Sequence, residues 1–203
     1  MQLIGMLDSP YVRRVAVSLQ WLGLPFEHRP LSVFRQLDEF RRINPVVEAP
    51  TLVCDDGTVL TDSTLILDYA EALAAPRSLM PHTLPERRQA LHRLGLALAA
   101  CEKAVQTVYE HRLRPAEKQH APWLDRVGGQ LDAAFAALEA ELARVPLAAV
   151  QESLTHGAIA SAVAWSFTHL LLPGRVDAAA HPCLEAFTGA AEQLPAFQAC
   201  PQT

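Results

Sequence analysis

The pattern of the sequence changes at a proline-rich segment, residues 76–85, which contains three prolines. Before this segment, short β-prone runs alternate with helical patterns, whereas after it the β-prone runs disappear and alanine-rich helical patterns follow one another. Prolines at this density interrupt both helices and strands, so the segment is expected to be an interdomain linker. The sequence therefore predicts two domains, residues 1–75 and residues 86–203.

The first domain is predicted to have the element order β-α-β-α-β-β-α. Strands are expected over residues 2–6 and 26–31, and the helix between them begins at Ser9-Pro10 and ends at Gly23, as capping preferences indicate. The remaining elements are a helix over residues 36–43, an antiparallel hairpin of residues 51–54 and 58–61, and a helix with Ser63 as N-cap and Leu65, Ile66, Tyr69 and Leu73 on its apolar face. This order closes a small mixed α/β sheet of the thioredoxin-like type.

The second domain is predicted to be an all-α helical bundle. Its first two helices carry apolar stripes, formed by Leu91, Leu94, Leu98, Cys101, Val105 and Val108 in one and by Val127, Leu131, Ala134, Phe135, Leu138 and Leu142 in the other. A third helix, residues 155–171, is almost uniformly apolar, so its neighbours are expected to surround it. That helix would be the centre of the domain.

Composition argues against several classes of function. The formal net charge of -5 comes without a basic stripe, which disfavours nucleic-acid binding. No stretch approaches the roughly 20 apolar residues of a membrane span and no leader pattern is visible, so we expect a cytoplasmic protein without a membrane partner. The four cysteines are scattered and the eight histidines lack helical i, i+4 spacing, which predicts reduced cysteines and no metal site.

Three segments carry a resemblance to a known family. They are SPYVRRV from Ser9, the run from Asn44 to Leu52, and DSTLILDY from Asp62. Together they resemble the cytosolic glutathione transferases, and SPYVRRV looks most like the serine or cysteine junctions of the tau, omega and related bacterial classes. The resemblance covers essentially the whole chain. It implies glutathione as co-substrate, a small electrophile as second substrate, and a homodimer.

Ser9 falls at the position of the family's activating residue. The thiolate of glutathione, rather than its thiol, attacks electrophiles, and moving a thiol pKa from about 8.5 to about 6.5 requires about 2.7 kcal/mol. A hydrogen bond to a charged acceptor contributes about 1.5–3 kcal/mol, and a helix N-terminus adds about 0.3–1 kcal/mol. Ser9 is therefore predicted to stabilise the thiolate without becoming a nucleophile. The alternative is that Ser9 is only an N-cap.

The resemblance also implies a glutathione-binding set. Pro50 would be the cis-proline of thioredoxin-like folds, and the backbone of Ala49 would pair with the cysteinyl unit as an added strand. Ser63 would bind the γ-glutamyl carboxylate at a helix N-terminus, and Asp62 would pair with the ammonium group. Gln36 is a further candidate, for the glycyl carboxylate. The alternatives are an ordinary trans proline, helix capping and an exposed charged helix face.

The second-substrate pocket is expected between the loop after the first strand and the long helix. Its candidate residues are Leu7, Tyr11, Tyr109, Arg112 and Trp165. Each is equally compatible with interior packing, and the polar run YEHRLR from Tyr109 also fits a solvated helix end.

Two departures from the family pattern bear on function. Glu48 stands in Val47-Glu48-Ala49-Pro50 where many relatives resemble Gly-Lys-Val-Pro, which reduces favourable charge for glutathione. The start of the central helix lacks the acidic residue of a capping box, so Thr155 would cap it alone. Rival functions are a glutathione-dependent isomerase, reductase or dehalogenase, and a non-catalytic binding protein of the same fold.

Overall fold

A computed structural model describes residues 1–150 and 153–202, which divide into two compact units. The first unit contains Met1–Leu79 together with the residues from Leu194 onward, and the second contains Met80–Gln193. The sequence predicts a helical domain over residues 86–203, whereas in the structure the residues from Leu194 onward belong to the first unit.

The first unit is built on a four-stranded sheet. In chain order its elements are β1 (Gln2–Ile4), α1 (Pro10–Leu22), β2 (Glu27–Arg29), α2 (Leu37–Ile43), β3 (Thr51–Val53), β4 (Val59–Thr61) and α3 (Ser63–Ala74). The strand order is β2-β1-β3-β4, in which only β1 and β2 run parallel. The β-α-β-α-β-β-α order inferred from the sequence is confirmed.

Helix α1 begins and ends where the sequence signals it. Ser9 is its N-cap, Pro10 opens the first turn, and Gly23 ends the helix with a φ of 73°. That left-handed backbone favours glycine, which has no Cβ to clash with the preceding turn. The buried side chains of Val12 and Val15 belong to the core of this unit, and α1 packs against β1 and α3.

Helix α3 differs from the sequence-based description at its start. The N-cap is Asp62, whose Oδ1 accepts hydrogen bonds from the backbone N–H groups of Thr64 and Leu65 at 2.7 and 3.1 Å. Ser63 is therefore the first residue of the helix rather than its cap. Asp62 holds this position with a φ of 70° and a ψ of 125°, a backbone conformation that L-residues rarely adopt.

The apolar face predicted for α3 was also mostly wrong. Only Ile66 of the predicted set is buried, and it lies with Leu67 and Ala70 on the core side. Leu65, Tyr69 and Leu73 are exposed. Apolar residues occur on more than one side of this helix, so periodicity alone does not reveal which side meets the sheet.

The second unit is helical. Its helices are α4 (Leu84–Leu113), α5 (Ala121–Arg144), α6 (His156–Leu171) and α7 (Pro182–Ala191). All six residues of the stripe predicted for α5 are buried, and α6 is buried along most of its length, as expected for a central helix. Within the residues described, no helix is long and apolar enough to cross a membrane.

The last residues of the chain pack into the first unit through short α8 (Pro195–Gln198). Phe197 is fully buried, and the guanidinium of Arg13 lies 5.6 Å from the centre of its ring. The Nε of Arg13 also donates a hydrogen bond to the backbone carbonyl of Cys200 at 3.0 Å. These contacts with α1 explain why the end of the chain leaves the helical unit.

Helices α4 and α6 approach each other closely at Gly157. A methyl group at this position would lie 2.8 Å from the Ala90 carbonyl oxygen and 3.2 Å from the Leu94 amide nitrogen. These are backbone atoms, so the helices themselves must separate to make room. Gly157→Ala is therefore expected to lower the free energy of unfolding by about 1–3 kcal/mol, measured by urea denaturation.

Gly95 provides the matched control for this prediction. It is also a helical glycine of the second unit, but no atom of another residue would contact an added methyl group. Gly95→Ala is expected to raise the free energy of unfolding by about 0.5–1 kcal/mol, because alanine loses less backbone freedom on folding. Shifts of the same sign in both variants would contradict close packing at Gly157.

Candidate functional site

The sheet register places the predicted site residues at one end of the sheet. The last residue of β1, Ile4, lies opposite both Arg29, where β2 ends, and Thr51, where β3 begins. Thr51 in turn lies opposite Thr61, the end of β4. The segments leading from these strand ends contain Ser9, Gln36, Ala49-Pro50 and Asp62-Ser63.

Ser9 lies on the β1–α1 loop, and its hydroxyl makes one long hydrogen bond. Its Oγ accepts the backbone N–H of Val12 at 3.4 Å, longer than a typical N–H···O hydrogen bond. Accepting this bond leaves the hydroxyl proton available to a ligand. Ser9 is thus the N-cap of α1, and the geometry also allows the donor role inferred from the sequence.

Ala49 presents unpaired backbone groups beside this loop. The Ala49–Pro50 peptide bond is cis, as expected. In the described part of the chain, the N–H and C=O groups of Ala49 take part in no hydrogen bond. A methyl group at Gly5, which follows β1, would lie 3.2 Å from the Ala49 Cβ, so the β1–α1 loop and this segment are in close contact.

A network of polar side chains and backbone groups holds the segment before Pro50. The Nδ2 of Asn44 donates to the Thr51 Oγ1 at 2.8 Å, and that hydroxyl donates to the Glu48 carbonyl at 2.6 Å. Val47 in between has a φ of 57°, an unfavourable conformation for a β-branched residue. In the sequence, Asn44-Pro45 marks the end of the second helix and the start of a motif, and neither feature reveals this network. Its structural effect is to hold Ala49 in place.

Helix α3 begins next to a buried arginine. The Nη1 of Arg14 donates to the Ser63 Oγ at 2.9 Å and to the Thr64 Oγ1 at 3.2 Å. Asp62 uses one carboxylate oxygen to cap the helix, which leaves Oδ2 available for a cation. Arg14 lies within the SPYVRRV motif, but the motif does not reveal these partners.

Gln36 stands at the start of α2 and is exposed. Its Oε1 accepts the backbone N–H of Ser32 at 3.0 Å, which fixes the loop before the helix. The two N–H groups of Nε2 remain as donors for an anion.

The second-substrate candidates have different environments in the two units. Leu7 is buried and Tyr11 is half-buried in the first unit, whereas Tyr109 and Arg112 are exposed on the last turns of α4. Trp165 is only 2% exposed. Its Nε1 donates to Glu185 at 2.8 Å and its ring meets that of Phe135 edge-on, so its contacts favour interior packing.

The polar end of α4 is largely explained by capping. Buried Glu110 pairs with Arg114 at 2.9 Å and accepts the backbone N–H of His120 at 3.0 Å. The Nε2 of Gln119 donates to the carbonyls of His111 and Arg114. The two Gln119 bonds satisfy carbonyl groups that the end of a helix leaves unpaired.

Three of the four cysteines, Cys54, Cys101 and Cys200, are buried. None of the four takes part in a disulfide bond, and burial raises the pKa of the Cys200 thiol to about 11, which keeps it protonated at neutral pH. Over residues 1–150 and 153–202, no three histidine, cysteine or acidic side chains lie close enough together to hold a metal ion.

Several known proteins are similar to this chain in sequence and in fold. The N-terminal domain of glutathione S-transferases matches residues 3–78. The uncharacterized GST-like protein YibF of Escherichia coli K12 is 26% identical over 174 residues, 86% of each chain. A Methylobacterium radiotolerans glutathione S-transferase structure with glutathione sulfonate gives a TM-score of 0.88 at 26% identity, covering 98% of this chain and 93% of that one. The structure of a glutathione transferase family member from Pseudomonas fluorescens Pf-5, with bound S-(propanoic acid)-glutathione, gives a TM-score of 0.81 at 30% identity and covers 98% of each chain.

Proposed function

The chain belongs to the glutathione S-transferase family, and from that premise we propose that it transfers glutathione to a small electrophile. In this proposal the Ser9 hydroxyl donates a hydrogen bond to the glutathione sulfur and favours its thiolate. The start of α1 adds the partial positive charge of a helix N-terminus. The thiolate then attacks an electrophilic carbon, forms a C–S bond and displaces the leaving group, or adds across an activated double bond.

The observation that carries the proposal is the unpaired backbone of Ala49 beside the loop of Ser9. A short extended peptide can pair its own N–H and C=O groups with those of Ala49 as an added strand. The cysteinyl unit of glutathione has the right length, and its sulfur would then approach the β1–α1 loop. The γ-glutamyl end would extend toward Asp62 and Ser63, whose donors and acceptors complement an α-amino acid. Gln36 would bind the glycyl carboxylate.

Calorimetric titration tests this proposal directly. We expect glutathione to bind with release of a proton, detected as a binding enthalpy that depends on the ionisation enthalpy of the buffer, because the thiol ionises in the site. S-methylglutathione is the matched ligand, since its methylated sulfur has no proton to lose and it should bind without proton release. Absence of binding would contradict the proposal.

Product analysis separates the transferase from its rivals. Incubation with a panel of electrophiles is expected to yield thioethers that retain glutathione. Regenerated glutathione would indicate an isomerase, and oxidised glutathione a reductase or reductive dehalogenase. Glutathione binding without turnover of any electrophile would favour the non-catalytic binding protein.

The residues proposed to bind the second substrate are Leu7 and Tyr11 of the first unit and Tyr109 and Arg112 of the second. Trp165 is omitted from this set because its contacts are those of a core side chain. The Arg112 guanidinium is exposed and would suit an acidic electrophile.

A homodimer in the cytoplasm completes the proposal. Leu65, Tyr69 and Leu73 recur every four residues along the exposed side of α3. An exposed apolar stripe of this kind is typical of an interface. Light scattering tests whether the protein is dimeric, and Leu65→Glu should then favour the monomer.

Glu48 is expected to weaken glutathione binding through its charge. The side chain is exposed next to Ala49, and glutathione with an ionised thiol is a dianion. Glu48→Lys should lower the dissociation constant for glutathione by about 1.4- to fivefold at low salt, which corresponds to about 0.2–1 kcal/mol for an exposed charge interaction. The gain should shrink as salt screens it.

Glu27→Lys is the matched control for the Glu48 variant. It makes the same charge change on an exposed residue at the start of β2, the opposite end of the sheet. An equal gain in both variants would indicate an effect of net charge rather than of position.

A further inference from the structure

Two consecutive arginines of α1 are buried, Arg13 at 1% and Arg14 at 2% exposure. Arginine is almost never fully buried without specific partners. Arg13 binds the end of the chain through the Cys200 carbonyl, whereas Arg14 binds the first two residues of α3.

The hydrogen bond from Arg14 sets the direction of the Ser63 hydroxyl. A serine hydroxyl has one proton to donate and lone pairs to accept with, whereas a guanidinium only donates. Because the Ser63 Oγ accepts from Arg14 at 2.9 Å, its own proton must go to another acceptor. Within the described residues, the Ser63 hydroxyl donates to no acceptor.

The backbone adds a second donor at the same residue. Asp62 accepts the N–H groups of Thr64 and Leu65, and the N–H of Ile66 bonds to the Asp62 carbonyl. Among residues 1–150 and 153–202, no acceptor binds the Ser63 N–H, which belongs to the same first turn. Ser63 therefore offers two donors, which match the two oxygens of one carboxylate.

We propose that Arg14 is a positioning residue that orients the Ser63 hydroxyl toward the ligand and thereby selects thiols carrying an α-carboxylate at the γ-glutamyl end. This inference rests on the proposed function, because it requires a glutathione-like ligand at the start of α3. Without Arg14, the Ser63 hydroxyl can turn and donate elsewhere, so the preference for the carboxylate falls even though Ser63 is still present.

The test compares glutathione with 4-aminobutanoyl-cysteinylglycine, which is glutathione without the α-carboxylate of its γ-glutamyl unit. Calorimetry gives the ratio of the two dissociation constants for each variant. The wild-type protein should prefer glutathione by about tenfold or more, the value of a hydrogen bond to a charged group. Arg14→Met should lose most of this preference, because it weakens the binding of glutathione and leaves the binding of the decarboxylated analogue unchanged. Arg14→Lys should retain only part of the preference, since lysine lacks the planar fork of arginine.

Arg13→Met is the matched control, because it removes an equally buried arginine of the same helix, one that binds the Cys200 carbonyl and lies against the Phe197 ring. It should lower stability and leave the ligand ratio at the wild-type value. Ser63→Ala should lose the same preference as Arg14→Met, and the double variant should lose no more than either single one. This pattern of ratios distinguishes positioning from a general loss of stability.

If Arg14→Met and Arg14→Lys do not fold, the side-chain nitrogen resonances of Arg14 in the wild-type protein provide the second measurement. They should shift on addition of glutathione and stay unchanged with the decarboxylated analogue. Equal shifts would overturn the proposal. A wild-type ratio in folded Arg14 variants would overturn it while glutathione binding stands, whereas a wild-type protein that binds neither peptide would overturn the proposed function as well.

Discussion

Ser9→Ala is expected to lower kcat/KM at neutral pH by about 10- to 100-fold, because it removes a hydrogen bond of about 1.5–3 kcal/mol to the bound thiolate. Losing this donor raises the pKa of the bound glutathione thiol. Activity rises with pH as the thiol ionises, so the rising limb of the pH–rate profile should move to higher pH. Well above both pKa values the thiolate populations converge, and the two rates should approach each other.

Ultraviolet absorbance of the bound thiolate measures this pKa without turnover. Ser9 is also an N-cap, and losing a cap costs about 0.5–2 kcal/mol of stability, so the variant needs a control for that effect. Thr83 provides it, because its hydroxyl accepts the Glu86 N–H at 3.4 Å, the same distance as in the Ser9 cap. Thr83→Ala should lower stability and leave the thiol pKa unchanged. An unchanged thiol pKa in Ser9→Ala would mean that Ser9 only caps α1.

The elements that the sequence predicted well have local signals at their ends. Helix α1 is bounded by Ser9-Pro10 and Gly23, whose preferences depend on backbone geometry within one turn. The β3–β4 hairpin turns at Asp55-Asp56-Gly57, and Gly57 has a φ of 86°. These features require no knowledge of the rest of the chain, which explains why the sequence was sufficient for them.

Features that depend on distant residues were not predictable in the same way. The orientation of α3 is set by the surface that α1 presents, so the outward position of Leu65 and Tyr69 has no signature within the helix. The last residues join the first unit because Phe197 meets Arg13 across most of the chain. No periodicity relates positions so far apart.

In the candidate site, too, local motifs were predictable from the sequence and contacts with distant residues were not. Ser9, Ala49-Pro50 and Asp62-Ser63 were found as short motifs, and the register of the sheet brings their segments to one end. Arg14 and Asn44 lie within those motifs, but their partners come from other segments. A sequence run identifies the residues of a site more readily than it identifies the bonds that hold them.

Phe40→Ala is expected to lower the free energy of unfolding by about 3–5 kcal/mol, the cost of truncating a fully buried aromatic ring. Phe40 is completely buried and packs with Ile4 of β1 and with Leu31. Helix α2 has only seven residues, too few for stability on its own, so the buried Phe40 ring, together with the partly buried Ile43, attaches the helix to the sheet. Urea denaturation measures the loss.

The consequence for function follows from the position of α2 in the chain. It begins after Gln36 and ends at Asn44, whose side chain holds the segment that presents Ala49. A loosened α2 should therefore expose its amides to hydrogen exchange and weaken glutathione binding, while residual turnover at saturating glutathione keeps the wild-type pH dependence, since Ser9 is untouched. Leu37→Ala, on the exposed side of the same helix, should cost less than about 1 kcal/mol. Equal losses in the two variants would mean that the ring of Phe40 does not anchor α2.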